Sequence, residues 1–264
     1  MWAYDFMQHA LIAGMIVASI SAIISVFVVL RRMVFATHAL GHMSITGFAL
    51  ASILGFSGML GQVLLNLVAA SIMGVLGDKI KKNDLAVGVI LSFVLGLGAY
   101  FLFLYQNNYA GGVMSVLFGN ILAVSNLQIH ILSYIAIFTL MVLIVIARPL
   151  LFSSIDPVIA EAKNIPIRMI SILFFLLVAL TVSMACQIVG ALLLFVLLVI
   201  PGAIAIEIGD NIYKIILTSI ISANMAFALA LCIAYYWNLP VSFCLTTILA
   251  IMYFMVKIKS ILRK

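Results

Sequence analysis

Two stretches of this chain, Leu127–Ala147 and Ile188–Ile206, run without a single Lys, Arg, Asp or Glu. Each is close to the roughly 20 apolar residues that a helix needs to cross a bilayer. In hydrocarbon every backbone N–H and C=O must be paired internally, so only helices or a closed barrel can span. Barrel strands alternate apolar and polar residues over about ten positions, and these runs do not. The fold class is therefore all-α, a polytopic transmembrane helical bundle. Composition agrees: 67% of the 264 residues are hydrophobic and 8% are charged, against about half and about a quarter in a soluble domain.

The net charge of +6 does not point to nucleic acid, because the basic residues fall in short clusters between apolar runs. They are Arg31 and Arg32; Lys79, Lys81 and Lys82; Arg148, Lys163 and Arg168; Lys214; and Lys257, Lys259, Arg263 and Lys264. Most gaps between clusters hold two apolar runs, so the clusters can share one side, which the positive-inside rule makes the cytoplasm. The spans expected are about 9–30, 38–56, 60–77, 85–105, 127–147, 169–186, 190–208, 215–236 and 240–256. The amino terminus lies outside and the carboxyl terminus in the cytoplasm. Short turns such as the one between 38–56 and 60–77 leave room for partial helices, so the count is eight or nine. The first run reads as a span, since no basic region precedes it and no small-residue cleavage site follows. One transmembrane domain, residues 1–264, is expected, with a cytoplasmic loop at about 149–168 and an irregular or re-entrant outer segment at Gln106–Asn126. Gly14, Ala18 and Ala22 form a small-residue ridge, suited to packing within the chain. Cys186, Cys232 and Cys244 lie in apolar runs and read as free thiols.

All seven acidic residues lie in loops or at span ends. Ionisable groups inside a membrane usually mark function. Their absence from span centres argues against a proton-coupled secondary carrier. His38 and His42 stand four apart, so both imidazoles share one helix face. Paired imidazoles suit zinc, copper, nickel or iron better than calcium or magnesium, which makes the two histidines candidate ligands of a metal ion. His9 and His130 stand alone near span ends, and Gln62, Asn66, Gln187 and Asn224 read as interhelical hydrogen-bond partners. The string Gly74-Val-Leu-Gly-Asp-Lys79 has the wrong spacing for a P-loop and lacks its hydroxyl residue, so any ATPase is a separate subunit. Position 39 is Ala, where the His-Glu-x-x-His of zinc proteases has Glu, and no nucleophile–base–acid set accompanies the histidines. Asp156-Pro157 can open a short helix, and Pro201 breaks or kinks a span, a candidate hinge together with Gly190.

Three segments, in order along the chain, resemble the zinc/manganese permease family of ABC transporters. They are Leu30-Arg-Arg-Met-Val-Phe35 with His38-Ala-Leu-Gly-His42 and Gly47; Leu117-Phe-Gly-Asn-Ile-Leu-Ala-Val-Ser125; and Val189-Gly-Ala-Leu-Leu-Leu194 running to Ile200-Pro-Gly-Ala-Ile-Ala205. A weaker match is Asp156-Pro-Val-Ile-Ala-Glu-Ala-Lys-Asn-Ile165. The resemblance implies a permease in a bacterial inner (plasma) membrane that imports a metal ion by alternating access, with no permanently bound cofactor. It implies a second copy of the chain, cytoplasmic ATP-binding subunits and an extracytoplasmic metal-binding protein as partners. It also implies that Asp156, Ala160 and Glu161 couple the permease to the ATPase. Many members of the family carry Asp where this chain has His38. Two imidazoles are softer than a carboxylate–imidazole pair, which favours zinc over manganese as cargo. The competing readings are an ABC permease for an organic chelate, such as a siderophore or corrinoid, and a metal-dependent intramembrane enzyme.

Overall fold

The computed structural model describes residues 4–76, 83–104 and 116–262. Every regular element in them is helical. The helices are α1 (Asp5–Leu30), α2 (Val34–Ile53), α3 (Gly58–Leu76), α4 (Asn83–Leu104), α5 (Asn126–Ile155), α6 (Pro157–Ala162), α7 (Ile167–Val189), α8 (Ala191–Leu197), α9 (Ile200–Ile208), α10 (Ile212–Trp237) and α11 (Val241–Leu262), with a 3-10 turn at Ile121–Ala123. Among the described residues nine segments are long and apolar enough to cross a membrane, α8 and α9 together making one of them.

α1, α2 and α7 form the centre, while α4, α5 and α11 lie at the rim. The rim helices turn residues such as Phe93, Val145 and Phe254 outward, as lipid-facing surfaces do. α1 packs on α5, α9 and α10; α2 packs on α3 and α4; α3 packs on α7. The ridge on α1 is used inside the chain. A Cβ added at Gly14 would lie 1.9 Å from the Phe227 ring of α10. About two helical turns on, Ser219 donates to the Ala22 carbonyl at 2.8 Å, where backbones can approach because the ridge is small. Gly14→Leu should therefore force the two central helices apart and destabilise the protein by about 1–3 kcal/mol or more. A fall in detergent-solution melting temperature, absent from an outward-facing control such as Ile12→Leu, checks this. α2 and α3 meet through Gly47 and Gly61, where a Cβ on either would come within 2.5 Å of the other's carbonyl oxygen.

Local chemistry places several ends. Ser125 and Gln128 form a capping box that opens α5. Asn211 caps α10, its side chain accepting from the Tyr213 N–H at 3.1 Å. The α1–α2 connection is three residues long and needs Arg32 at φ 57, a left-handed conformation in a residue other than Gly.

The nine expected spans are all present, with shifted ends. α2 begins at Val34 rather than 38, so His38 lies in its second turn. α5 runs to Ile155, eight residues past the expected end, with Pro149 inside it. A proline removes one helical hydrogen bond but does not oblige a helix to stop. The run 190–208 is two helices, α8 and α9, separated at Leu198–Val199. Pro201 occupies the first turn of α9, so the interruption falls just before the proline, where a helix start tolerates its missing N–H. Of the segment Gln106–Asn126, residues 106–115 lie outside the described residues, and 116–125 holds two short helical turns, at 116–118 and 121–123, separated by the left-handed Gly119.

Candidate metal centre

The two histidines come together as their spacing requires. His38 Nε2 and His42 Nε2 lie 3.2 Å apart, with the ring planes at 84°. The separation is that of a hydrogen bond, one ring donating and the other accepting. It is also the separation that a single ion imposes: two imidazole nitrogens each about 2.0–2.1 Å from a tetrahedral zinc stand roughly 3.3 Å apart. An ion can thus take the place of the shared proton at the same nitrogen separation, each ring turning so that its lone pair points at the ion. Phe195 of α8 packs edge-on against His38 with ring centroids 4.7 Å apart, fixing its orientation.

A small cavity of about 30 Å³ touches the pair, lined also by Gly41, Ala191, Leu192 and Phe195. That is room for one water or one ion. His38 also faces a second cavity of about 530 Å³, lined by Val29, Arg32, Val34, Phe35, Asp84 and Phe195. His38 and Phe195 belong to both, so they stand between the confined space and the open one. Arg32 and Asp84 place the open cavity beside the basic α1–α2 turn. Among the described residues no group of three His, Cys, Asp or Glu side chains gathers around a common point. An ion placed at this pair would meet two protein nitrogens and fill its other positions with water or neighbours.

The remaining candidates divide into two regions. Asp156 caps α6, its Oδ1 accepting from the N–H groups of Val158 and Ile159 at 3.0 Å each. Ala160 is fully buried, while Glu161 is exposed. Ala160 seats α6 on the bundle. The outward face carries Val158 and Ile159, 76% and 50% exposed, two apolar residues that charge and motif reasoning passed over. Asp156→Ala should loosen this short helix by about 1 kcal/mol. Its proteolytic sensitivity between 150 and 166 should rise while metal binding at the histidines is unchanged.

Gly190 ends α7 with φ 89 and ψ 150. A Cβ added there would lie 2.4 Å from the Phe118 carbonyl carbon, and one at Gly119 would lie 2.4 Å from that of Val189. Two of the motifs quoted above thus touch backbone to backbone. Pro201 stands on the far side of α8 from Gly190, so both ends of that short helix are breaks in the span. Asn66 donates to Ser44 Oγ and Ser183 Oγ at 2.7 and 2.9 Å. Asn224 donates to Ser19 Oγ at 2.9 Å. Both are interhelical partners as expected. Gln62 is fully buried, with neither amide atom paired among the described residues, and Gln187 joins Asn120 and Gln128 around a polar cavity of about 260 Å³.

The chain is similar to known membrane transport proteins. The manganese transport system membrane protein MntC of Halalkalibacterium halodurans is 34% identical over 204 residues, covering 77% of this chain and 70% of that protein. The manganese import system permease protein ScaB of Streptococcus parasanguinis is 28% identical over 251 residues, covering 95% and 89%. The solved PsaBC from Streptococcus pneumoniae, in complex with Fab, superposes with a TM-score of 0.84 at 28% identity, covering 96% of this chain and 91% of that one. An inward-facing ABC transporter described as of metal-chelate type shares the fold alone, with a TM-score of 0.75 and 15% identity. The family model described as the ABC 3 transport family matches residues 3–260. The chain belongs to that family and is a multi-pass membrane permease, a transport subunit rather than an enzyme.

Proposed function

We propose that the chain is the permease of an ATP-driven importer of a divalent first-row metal ion, with His38 and His42 as its transient ligands in the membrane. The observation that carries this is the 3.2 Å Nε2–Nε2 separation beside an ion-sized space, in a chain similar to permeases named for manganese. Manganese is supported by those names, and zinc by the softness of two imidazoles. Both are the same class of cargo. The chelate reading is disfavoured because the space that touches both histidines is about 30 Å³, and a siderophore or corrinoid would have to lie in the open cavity of about 530 Å³, which only His38 of the pair lines.

In this reading residues 1–264 form one permease domain that works beside a second copy, with its carboxyl terminus in the cytoplasm. A donor protein delivers the ion from outside. Cytoplasmic ATP-binding subunits grip the loop at 149–168, where Val158, Ile159 and Glu161 face outward. Gly190 and Pro201 let α8, which carries Phe195, swing against α2 and open or close the passage between the two cavities. Vesicles holding the permease, its ATPase and its donor test the reading with labelled manganese, labelled zinc and an iron–siderophore complex. ATP-dependent uptake of either free ion is expected. Uptake of the chelate alone would overturn it.

A further inference from the structure

Arg31 caps the carboxyl end of α1, half-buried, and among the described residues its guanidinium bonds only serine hydroxyls. Nη1 donates to Ser153 Oγ at 2.9 Å and to Ser154 Oγ at 3.4 Å, both on the last turn of α5. Nη2 donates to Ser171 Oγ on the second turn of α7. The hydroxyl protons are already committed. Ser153 and Ser154 donate to the Leu150 carbonyl, and Ser171 donates to the Ile167 carbonyl at 2.8 Å. Each serine therefore turns lone pairs toward the guanidinium and serves it only as an acceptor. Burial lowers the Arg31 pKa to about 10, which still leaves it a cation at neutral pH. Among the described residues no carboxylate pairs with it.

The two helices that it ties are the two that flank α6. Ser153 and Ser154 lie just before the Asp156 cap, and Ser171 lies on α7 a few residues beyond Ala162. On the other side, Arg31 is joined through Arg32 and Met33 to Val34, the first residue of α2, and α2 carries both histidines. α1 itself presses on α9, where a Cβ at Gly202 would lie 2.6 Å from the Ser25 backbone. We infer that Arg31 is a positioning residue for transport, a fork that passes movement of α6 to the histidine-bearing helix and to the broken span. The fork needs a guanidinium. Its two Nη groups reach two helices at once, which a lysine's single ammonium does not.

This inference rests on the proposed docking of the ATPase at α6, and the test separates the two. The permease–ATPase–donor complex is reconstituted in vesicles, and manganese taken up per ATP hydrolysed is measured. Arg31→Ala removes a half-buried cation and can unfold the chain, so the informative variant is Ser153→Ala with Ser154→Ala and Ser171→Ala, which keeps Arg31 and removes its three serine acceptors. Its ions-per-ATP ratio should fall roughly fivefold or more, with ATPase binding retained. Arg31→Lys should fall by a similar factor although the charge remains. An unchanged ratio in both variants overturns the inference. So does lost assembly with a normal ratio in the complexes that remain, because the cluster then only holds the fold. Ile159→Asp, on the exposed face of α6, should release the ATPase. If it does not, the docking reading fails and takes the inference with it. If it does, and the serine variant couples normally, the inference alone fails.

Discussion

With His38 and His42 both replaced by alanine, ATP-dependent metal uptake should fall by two orders of magnitude or more, while the complex still assembles. Even groups that only orient a metal ligand are worth about 10–100-fold in affinity, and this change removes both nitrogens of a two-nitrogen site. The fold should tolerate it. Both residues are half-buried, and their direct contacts are with each other and with Phe195. Truncation should cost about 1 kcal/mol of stability. Each single variant should lose most of the uptake too, since one imidazole cannot bridge the ion. His38→Asp is the informative exchange. It restores a charged ligand, as in many of the family that the sequence resembles, and should move preference from zinc toward the harder manganese ion. Uptake of the two metals in competition reads that change directly.

Gly190→Val is the second large effect expected. The backbone at φ 89 and ψ 150 lies in a region reached essentially by glycine alone, and a β-branched residue there costs about 1–3 kcal/mol in strain. Independently, a Cβ would meet the Phe118 carbonyl carbon at 2.4 Å and the Gly119 nitrogen at 2.6 Å, backbone atoms that cannot rotate away. The chain must shift the segment around Gly119, reset the α7–α8 break, or both. Transport should be abolished, and the melting temperature should drop by several degrees. Gly119→Ala should give a milder form of the same defect, because it meets the same contact from the other side with a smaller strain. If Gly190→Val transports normally, the contact between the two glycine motifs has no part in the cycle.

The membrane fold was legible because apolar run length is a one-dimensional property. Runs such as Leu127–Ala147 announce their helices whatever they pack against. Their ends were less legible, since α5 continues through Pro149 and α2 begins at Val34, choices that tertiary contacts make. The histidine pair was legible because i and i+4 meet on any helix. Phe195, which orients His38, was not, since it lies 157 positions away in the sequence. The contact between Gly119 and Gly190 joins two motifs that were each visible, but their meeting depends on the turn at Gly119 packing against the α7–α8 break. Ala160 looked like a coupling residue by resemblance and is buried, whereas Val158 and Ile159 on the same six-residue helix are exposed. The serine cluster around Arg31 had no signal at all in one dimension, because isolated serines in apolar runs are common and only the fold brings these three together.

The central claim is that the ion passes through the His38–His42 pair. X-ray absorption at the zinc edge tests it most directly, on the complex loaded with zinc and stalled before ATP hydrolysis. The account predicts two imidazole nitrogens at about 2.0–2.1 Å, with their multiple-scattering signature lost in the His38→Ala/His42→Ala variant. Zinc bound with no imidazole scattering, or with an unchanged spectrum in that variant, would contradict it.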